Sequence, residues 1–198
     1  MTDAYREGDA PYEVDITGRM LGAVVDRLDG REIKGLQWRA KQFRTARGIG
    51  AEERLTGADF MGVLDIDISG YSTRKGFLAQ AKRAEPGEPF SDWSRLCSQI
   101  DDMLRISSAS YVFIYSKRLG IRVFPALSVL GLKSRNIFEL YDRSVQRFFE
   151  EHFECFVGDR NLSVPNINTL LAAGDFPASR ALVLGAAEHS TGDRVHDT

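Results

Sequence analysis

The chain contains no run of eighteen apolar residues among its 198, so a bilayer-spanning helix is not expected. Its first fifteen residues are polar and acidic rather than basic-then-apolar, so no secretory signal is expected and the reading is cytoplasmic. Cysteine is scarce. Cys97 and Cys155 lie in apolar helical patterns, where they are expected to pack as small hydrophobes rather than form a disulfide. Those two and the three histidines have no close ligand spacing, which argues against a structural zinc site. Gly48-Ile49-Gly50 lacks the third glycine and the preceding strand of a dinucleotide loop, and no Gly-Lys-Ser/Thr phosphate loop occurs. Ser72 and Thr73 have no histidine nearby, which disfavours a hydrolase triad, and His152 reads as a helix-end or packing residue. No internal repeat or low-complexity segment is visible.

What remains is a composition close to the globular average, 43% hydrophobic and 27% charged, with a net charge of −2. The length suits one domain with a full core, expected over residues 15–185, after a flexible leader at 1–14 and before a disordered tail at 186–198. Positive charge is clustered despite the small total. Seven basic residues (Arg31, Lys34, Arg39, Lys41, Arg44, Arg47, Arg54) face three acids between positions 31 and 54. A second group comprises Lys117, Arg118, Arg122, Lys133, Arg135, Arg143 and Arg147. Such groups either neutralise backbone phosphates or are ordinary solvated helix faces.

Hydrophobic periodicity divides the chain into elements. Ile16, Met20, Leu21, Val24, Val25 and Leu28 mark a helix from Asp15 that ends at Asp29-Gly30, and one or two helices are expected over Leu36–Glu53. Strands are expected at 58–68 and 76–83, separated by a polar Gly70–Gly76 turn, followed by a loop from Arg83 to Ser91. Ser91 or Asp92 should cap a helix carrying Trp93, Leu96, Cys97, Ile100, Met103 and Leu104, although Trp93 and Trp38 have a second reading as base-stacking residues. Ser110–Tyr115 reads as a strand buried on both faces and Gly120–Pro125 as a shorter strand. From Ile137 to Phe153 the spacing predicts an aromatic-rich helix, read as core or as a dimer surface, and Ala181–Ala187 is a last apolar stretch. The fold class is therefore α/β, a mixed sheet flanked by helices.

The chemistry-bearing residues lie between Glu53 and Lys82. Asp59 opens an apolar run, and Gln80-Ala81-Lys82 follows twenty residues later, near the end of the next strand. Alternation puts Gln80 and Lys82 on one face, and Asp59 joins them if the hairpin register allows. An acid, an amide oxygen and an ammonium gathered there suit a divalent metal and an oriented water. Asp65 and Asp67 share the parity of Asp59 and form a rival acid pair or a solvated strand face.

This pattern resembles the PD-(D/E)XK nucleases, whose core is the restriction-endonuclease-like fold. It is most similar to the variants with Gln-x-Lys found in Mrr-type restriction enzymes. The likeness covers Glu53 to Ser116. It implies a restriction-endonuclease-like α/β core and Mg²⁺-dependent hydrolysis of DNA, with Mn²⁺ as a possible substitute. It assigns metal ligation to Asp59, to the Gln80 amide oxygen and to the Ala81 carbonyl. Glu53 is implied as a further ligand, with Glu52 its competitor one residue of helix register away. Lys82 is implied to hold the attacking water. The implied setting is restriction or phage defence, as a homodimer or with a partner subunit. Gln80 in place of a second carboxylate also leaves open a nuclease-like module that binds nucleic acid or a partner without cutting.

Overall fold

The computed structural model describes residues 13–44, 56–162 and 177–188. Helix α1, Glu13–Leu28, starts with Glu13 and Asp15 in its first turn and carries Arg27 in its last, matching the helix dipole. Its Ile16, Thr17, Met20 and Leu21 are buried, and the Thr17 hydroxyl lies 2.7 Å from the Tyr115 hydroxyl. Asp29 then accepts from the Ala40 amide at 3.0 Å, tying the helix end to the strand that follows.

That strand replaces an expected helix. Strands β1, Glu32–Ile33, and β2, Leu36–Arg44, form a hairpin whose Lys34 and Gly35 both have positive φ, 53° and 77°. This is the backbone of a two-residue turn that matches strand twist. Along β2, Ala40 is buried between exposed Arg39 and Lys41, a period of two rather than 3.6. The remainder of the expected helical segment, 45–55, lies outside the described residues.

Strands β3, Phe60–Ile68, and β4, Tyr71–Arg83, make a long hairpin in which Phe60 faces Ala79 and Ile68 faces Tyr71. The strand therefore takes in residues 71–75, expected as turn, because Thr73 and Lys75 alternate inward and are buried. Helix α2, Trp93–Ile106, follows the 84–92 loop. Asp92 stands at its N-cap without a side-chain capping bond, so no side chain there does the capping expected of it. The helix carries the chain to β5, Ser110–Ser116, parallel to β4, and β6, Gly120–Pro125, returns antiparallel. Such a parallel pair requires a crossover of this kind.

Beyond Pro125 comes a short helix, α3, Ala126–Leu130. The helix expected over Ile137–Phe153 is three pieces: a 3-10 turn at Ile137–Glu139, strand β7, Arg143–Ser144, and α4, Val145–Phe153, capped by the Ser144 hydroxyl on the Arg147 amide. The last apolar stretch is strand β8, Arg180–Glu188, extending past the expected tail boundary. It inserts between β2 and β3, antiparallel to the first and parallel to the second. The result is one mixed eight-stranded sheet in the order β1-β2-β8-β3-β4-β5-β6-β7, flanked by helices. No helix among the described residues is long and apolar enough to cross a membrane.

Each face of the sheet carries a core. On one, α1 and α4 cover Phe60, Leu64, Phe77, Phe113 and Leu184. Phe148, Phe149 and His152 of α4 are all buried there, so this part of the aromatic stripe is core. On the other face, Leu96, Ile100 and Met103 of α2 meet Met61, Leu78, Val112 and Ile114. Both cysteines are free thiols, and Cys155, expected to be packed, is exposed just beyond α4 with φ 67°.

His152 makes this core sensitive to acid. It is fully buried, and both its Nδ1 (3.0 Å) and the Lys75 ammonium (2.6 Å) meet the Val157 carbonyl, so Nδ1 carries the proton. Its Nε2 is buried without a partner. Burial pushes its pKa down to about 4, helped by the Lys75 charge and opposed by the Val157 bond. An unfolded chain would take up that proton near pH 6.5. Stability fully present above pH 6.5 is therefore lost as the pH falls toward 4, by about 2 kcal/mol between pH 7 and pH 5. Urea midpoints at those two pH values should converge for His152→Leu. Equal acid losses in variant and wild type would remove His152 as the cause.

Candidate active site

The β3–β4 register decides the site. The Asp59 amide donates to the Ala79 carbonyl at 2.9 Å, and with Phe60 facing Ala79, Asp59 lies opposite Gln80. Backbone pairing with β3 stops there, and the Asp59 carboxylate takes over. Its Oδ2 accepts from the Ala81 amide at 2.8 Å and from Gln80 Nε2 at 2.6 Å. The same Nε2 also reaches the Ala81 carbonyl at 3.1 Å. One amide –NH₂ thus sits between a carboxylate oxygen and a carbonyl oxygen. These partners fix the amide's orientation, because the reverse would put two oxygens against each other.

That orientation leaves Gln80 Oε1 buried without a hydrogen-bond partner. A buried orphan acceptor costs about 1–3 kcal/mol, so Oε1 is open to an incoming donor or cation. Lys82, two residues on, shares this face and is 7% exposed, against 1% for Gln80. Asp59 itself is half-buried. All three stand on the α2 side of the sheet, continuing the row that Leu78 starts.

The approach to Asp59 is tight. Thr56 Oγ1 donates to the Pro177 carbonyl at 3.0 Å, Ala58 is fully buried, and Gly57 has φ 70°. A Cβ on Gly57 would lie 2.1 Å from the Gln99 carbonyl oxygen of α2. Only glycine lets the chain pass between the helix and the sheet here.

Other sequence expectations fall elsewhere. Glu53 and Glu52 lie outside the described residues, as do Arg47 and Arg54. Asp65 is held by Arg74 at 2.5 Å and Asp67 is exposed, six and eight residues along β3, so Asp65 stands roughly 20 Å from Asp59. They form no acid pair with it. The basic groups disperse as well. Arg122 pairs with Asp142 at 2.9 Å, Arg143 with Glu151 at 2.5 Å, and Arg147 with Glu150 and Glu151. Lys117 and Arg118 remain at the site's end of the sheet, on the turn after β5, and Arg44 lies at the same end beside Arg180. Trp38 stacks edge-on against Phe153 at 5.3 Å, and Trp93 against Phe90 at 5.6 Å.

Glu85, which the sequence pattern does not single out, lies three residues beyond Lys82 and binds the β5–β6 turn. Its signal in the sequence is weak, a lone acid before Pro86-Gly87.

The donor set suits a hard cation only in part. Asp59 supplies one carboxylate, Gln80 Oε1 and the Ala81 carbonyl supply neutral oxygens, and no three acidic, His or Cys side chains converge among the described residues. From these residues a divalent metal would have one carboxylate and two neutral oxygens, and a tight site would need a further acid. No family model, curated protein or solved structure matches the chain.

Proposed function

We propose that the chain is a metal-dependent endonuclease of the restriction-endonuclease-like type, hydrolysing DNA phosphodiester bonds with Mg²⁺ or Mn²⁺. One observation carries the reading: Asp59, Gln80 and Lys82 stand on one face, the Ala81 backbone bonds to Asp59 and Gln80, and Gln80 Oε1 is buried and unpartnered beside them. Asp59, Gln80 Oε1 and the Ala81 carbonyl would hold the metal, joined by Glu53 or Glu52. A half-turn of the Gln80 amide brings Oε1 to the place where Nε2 now meets both oxygens.

A metal held there would supply polarisation of the phosphate and a nucleophilic water. The ammonium of Lys82 would orient the attacking water and offset charge growing on the phosphoryl oxygens. Its near-complete burial strengthens this effect, since a charge in a low-dielectric site is poorly screened. Gly57 and α2 hold Asp59 in register while this happens. The product ends are 5′-phosphates, and the setting is restriction or phage defence, with a homodimer or partner subunit to reach both strands.

A second reading is a nuclease-like module that binds nucleic acid or a partner without cutting. It is favoured by the Asp59 oxygen that already accepts two hydrogen bonds from the chain itself.

The test is cleavage of plasmid and linear DNA with Mg²⁺, Mn²⁺ or EDTA, alongside Lys82→Met, which keeps the buried stem. Metal-dependent cutting is expected, slowed on the order of 10²–10³-fold in the variant. Failure of both metals to support cutting by the wild type would favour the binding module. Full cutting by Lys82→Met would remove Lys82 from the mechanism.

A further inference from the structure

Next to the site, the turn joining β5 to β6 gathers hydrogen-bond donors around an anion. The Ser116 hydroxyl donates to Glu85 Oε2 at 2.7 Å, the Lys117 amide donates to Oε1, and the Arg118 amide reaches Oε2 at 3.4 Å. The Arg118 guanidinium stands 3.6 Å from the same oxygen. The Leu119 amide donates to Ser116 Oγ at 2.9 Å, which leaves the Ser116 hydrogen pointing at the carboxylate. Successive backbone amides, a hydroxyl and an arginine are the donor set with which proteins hold phosphate. Glu85 fills it with a side chain only 17% exposed. Burial pushes the Glu85 pKa up, but the bonds from Ser116, Lys117 and Arg118 outweigh it and the net shift is down.

The position matters as much as the donors. Lys82 faces Ile114 and Arg83 faces Tyr115 in the β4–β5 register, and the Ala84 amide still reaches the Tyr115 carbonyl at 3.3 Å. Ser116 therefore stands one strand across and two residues beyond Lys82, about 8 Å away along the sheet. A nucleic-acid backbone laid over Lys82 would bring a neighbouring phosphate to this turn. Arg118 also holds Glu88 at 3.3 Å, so the guanidinium keeps one carboxylate if Glu85 withdraws.

We propose that the Ser116–Leu119 turn is a phosphate-binding nest for the nucleic-acid backbone, filled in the free protein by the Glu85 carboxylate. The nucleic acid and Glu85 compete for the same donors, so Glu85 sets the threshold for binding. The choice of nucleic acid as the phosphate source rests on the proposed function; the anion nest itself does not.

Binding of a ten-nucleotide single-stranded DNA, and separately of inorganic pyrophosphate, should be measured by calorimetry in EDTA, where no cleavage intervenes. Glu85→Gln is expected to bind the DNA about tenfold tighter than the wild type, the gain of a charge-assisted bond over a neutral one. The double variant Glu85→Gln/Arg118→Ala should lose that gain. Because Glu85→Gln can loosen the turn, the Lys117 and Arg118 amide resonances of the wild type are followed as DNA is added, and both should shift. Silent amides at saturating DNA, or a Glu85→Gln variant that melts like the wild type yet binds no tighter, would overturn the nest. Tighter binding of pyrophosphate alone would overturn the nucleic-acid assignment. Loss of cutting in the plasmid assay with these binding results intact would fall on the nuclease reading instead.

Discussion

Asp59→Asn is expected to lower metal-dependent cleavage on the order of 10³-fold while the protein stays folded. The substitution removes the carboxylate charge and keeps the side-chain shape. An asparagine Oδ1 can still accept from the Ala81 amide and from Gln80 Nε2, the two bonds now made at 2.8 and 2.6 Å. The stability cost should therefore stay near 1 kcal/mol, the difference between a charged and a neutral acceptor. Asp59→Ala is a poorer test, because it strips the acceptor from the Ala81 amide and the Gln80 –NH₂ and would mix unfolding with loss of metal. Cleavage rates and melting temperatures measured together separate the two. Asparagine at this position with wild-type rates would exclude Asp59 as the anchoring ligand.

Gly57→Ala should be the most damaging small substitution for stability. Its Cβ would stand 2.1 Å from the Gln99 carbonyl oxygen and 2.8 Å from the Gln99 Cα, both backbone of α2. No rotamer relieves such a contact, so the helix or the 56–58 segment has to move. Alanine also resists a φ of 70°. Overpacking and the left-handed backbone together cost roughly 3–5 kcal/mol, or about 10 °C in melting temperature for a chain of this size. Movement here displaces Asp59 as well, so activity should fall further than stability alone explains. Gly22→Ala is the control, since its Cβ would meet nothing within 4 Å on α1. Equal melting of the Gly57 and Gly22 variants would show that the tight passage beside α2 is not what holds Asp59.

The site is legible because its pieces are neighbours in sequence. Asp59 and Gln80-Ala81-Lys82 belong to two neighbouring strands whose alternation is local, while the register that sets Asp59 opposite Gln80 follows from a tight Ser69-Gly70 turn shorter than the expected Gly70–Gly76 turn. Helix α2 and strand β5 carry equally local signals, an apolar stripe at helical spacing and a continuous apolar run. Glu85 is not legible in this way. Its partners are backbone amides of a turn about thirty residues on, and backbone donors leave no mark on side-chain pattern.

The misread element shows the same limit. Leu36–Arg44 carries Leu, Trp, Ala and Phe at spacings that satisfy a helix nearly as well as a strand, and its local sequence does not choose. The choice comes from β8, which offers a full row of amides and carbonyls from Arg44↔Arg180 to Leu36↔Glu188. The apolar Ala181–Ala187 run likewise acquires its place only between β2 and β3, in the middle of the sheet. By itself the sequence determined the α/β class, the two strand segments that pair as β3 and β4, and the residues Asp59, Gln80, Ala81 and Lys82 at their ends, since short-range periodicity specifies them. The tight turn and the register that set Asp59 opposite Gln80 came from the structure. Only the tertiary structure decided the strand order, the conversion of residues 36–44 to β and the closing of the Ser116 turn by Glu85. Those depend on hydrogen bonds between segments far apart in the chain, whose partners no local pattern names.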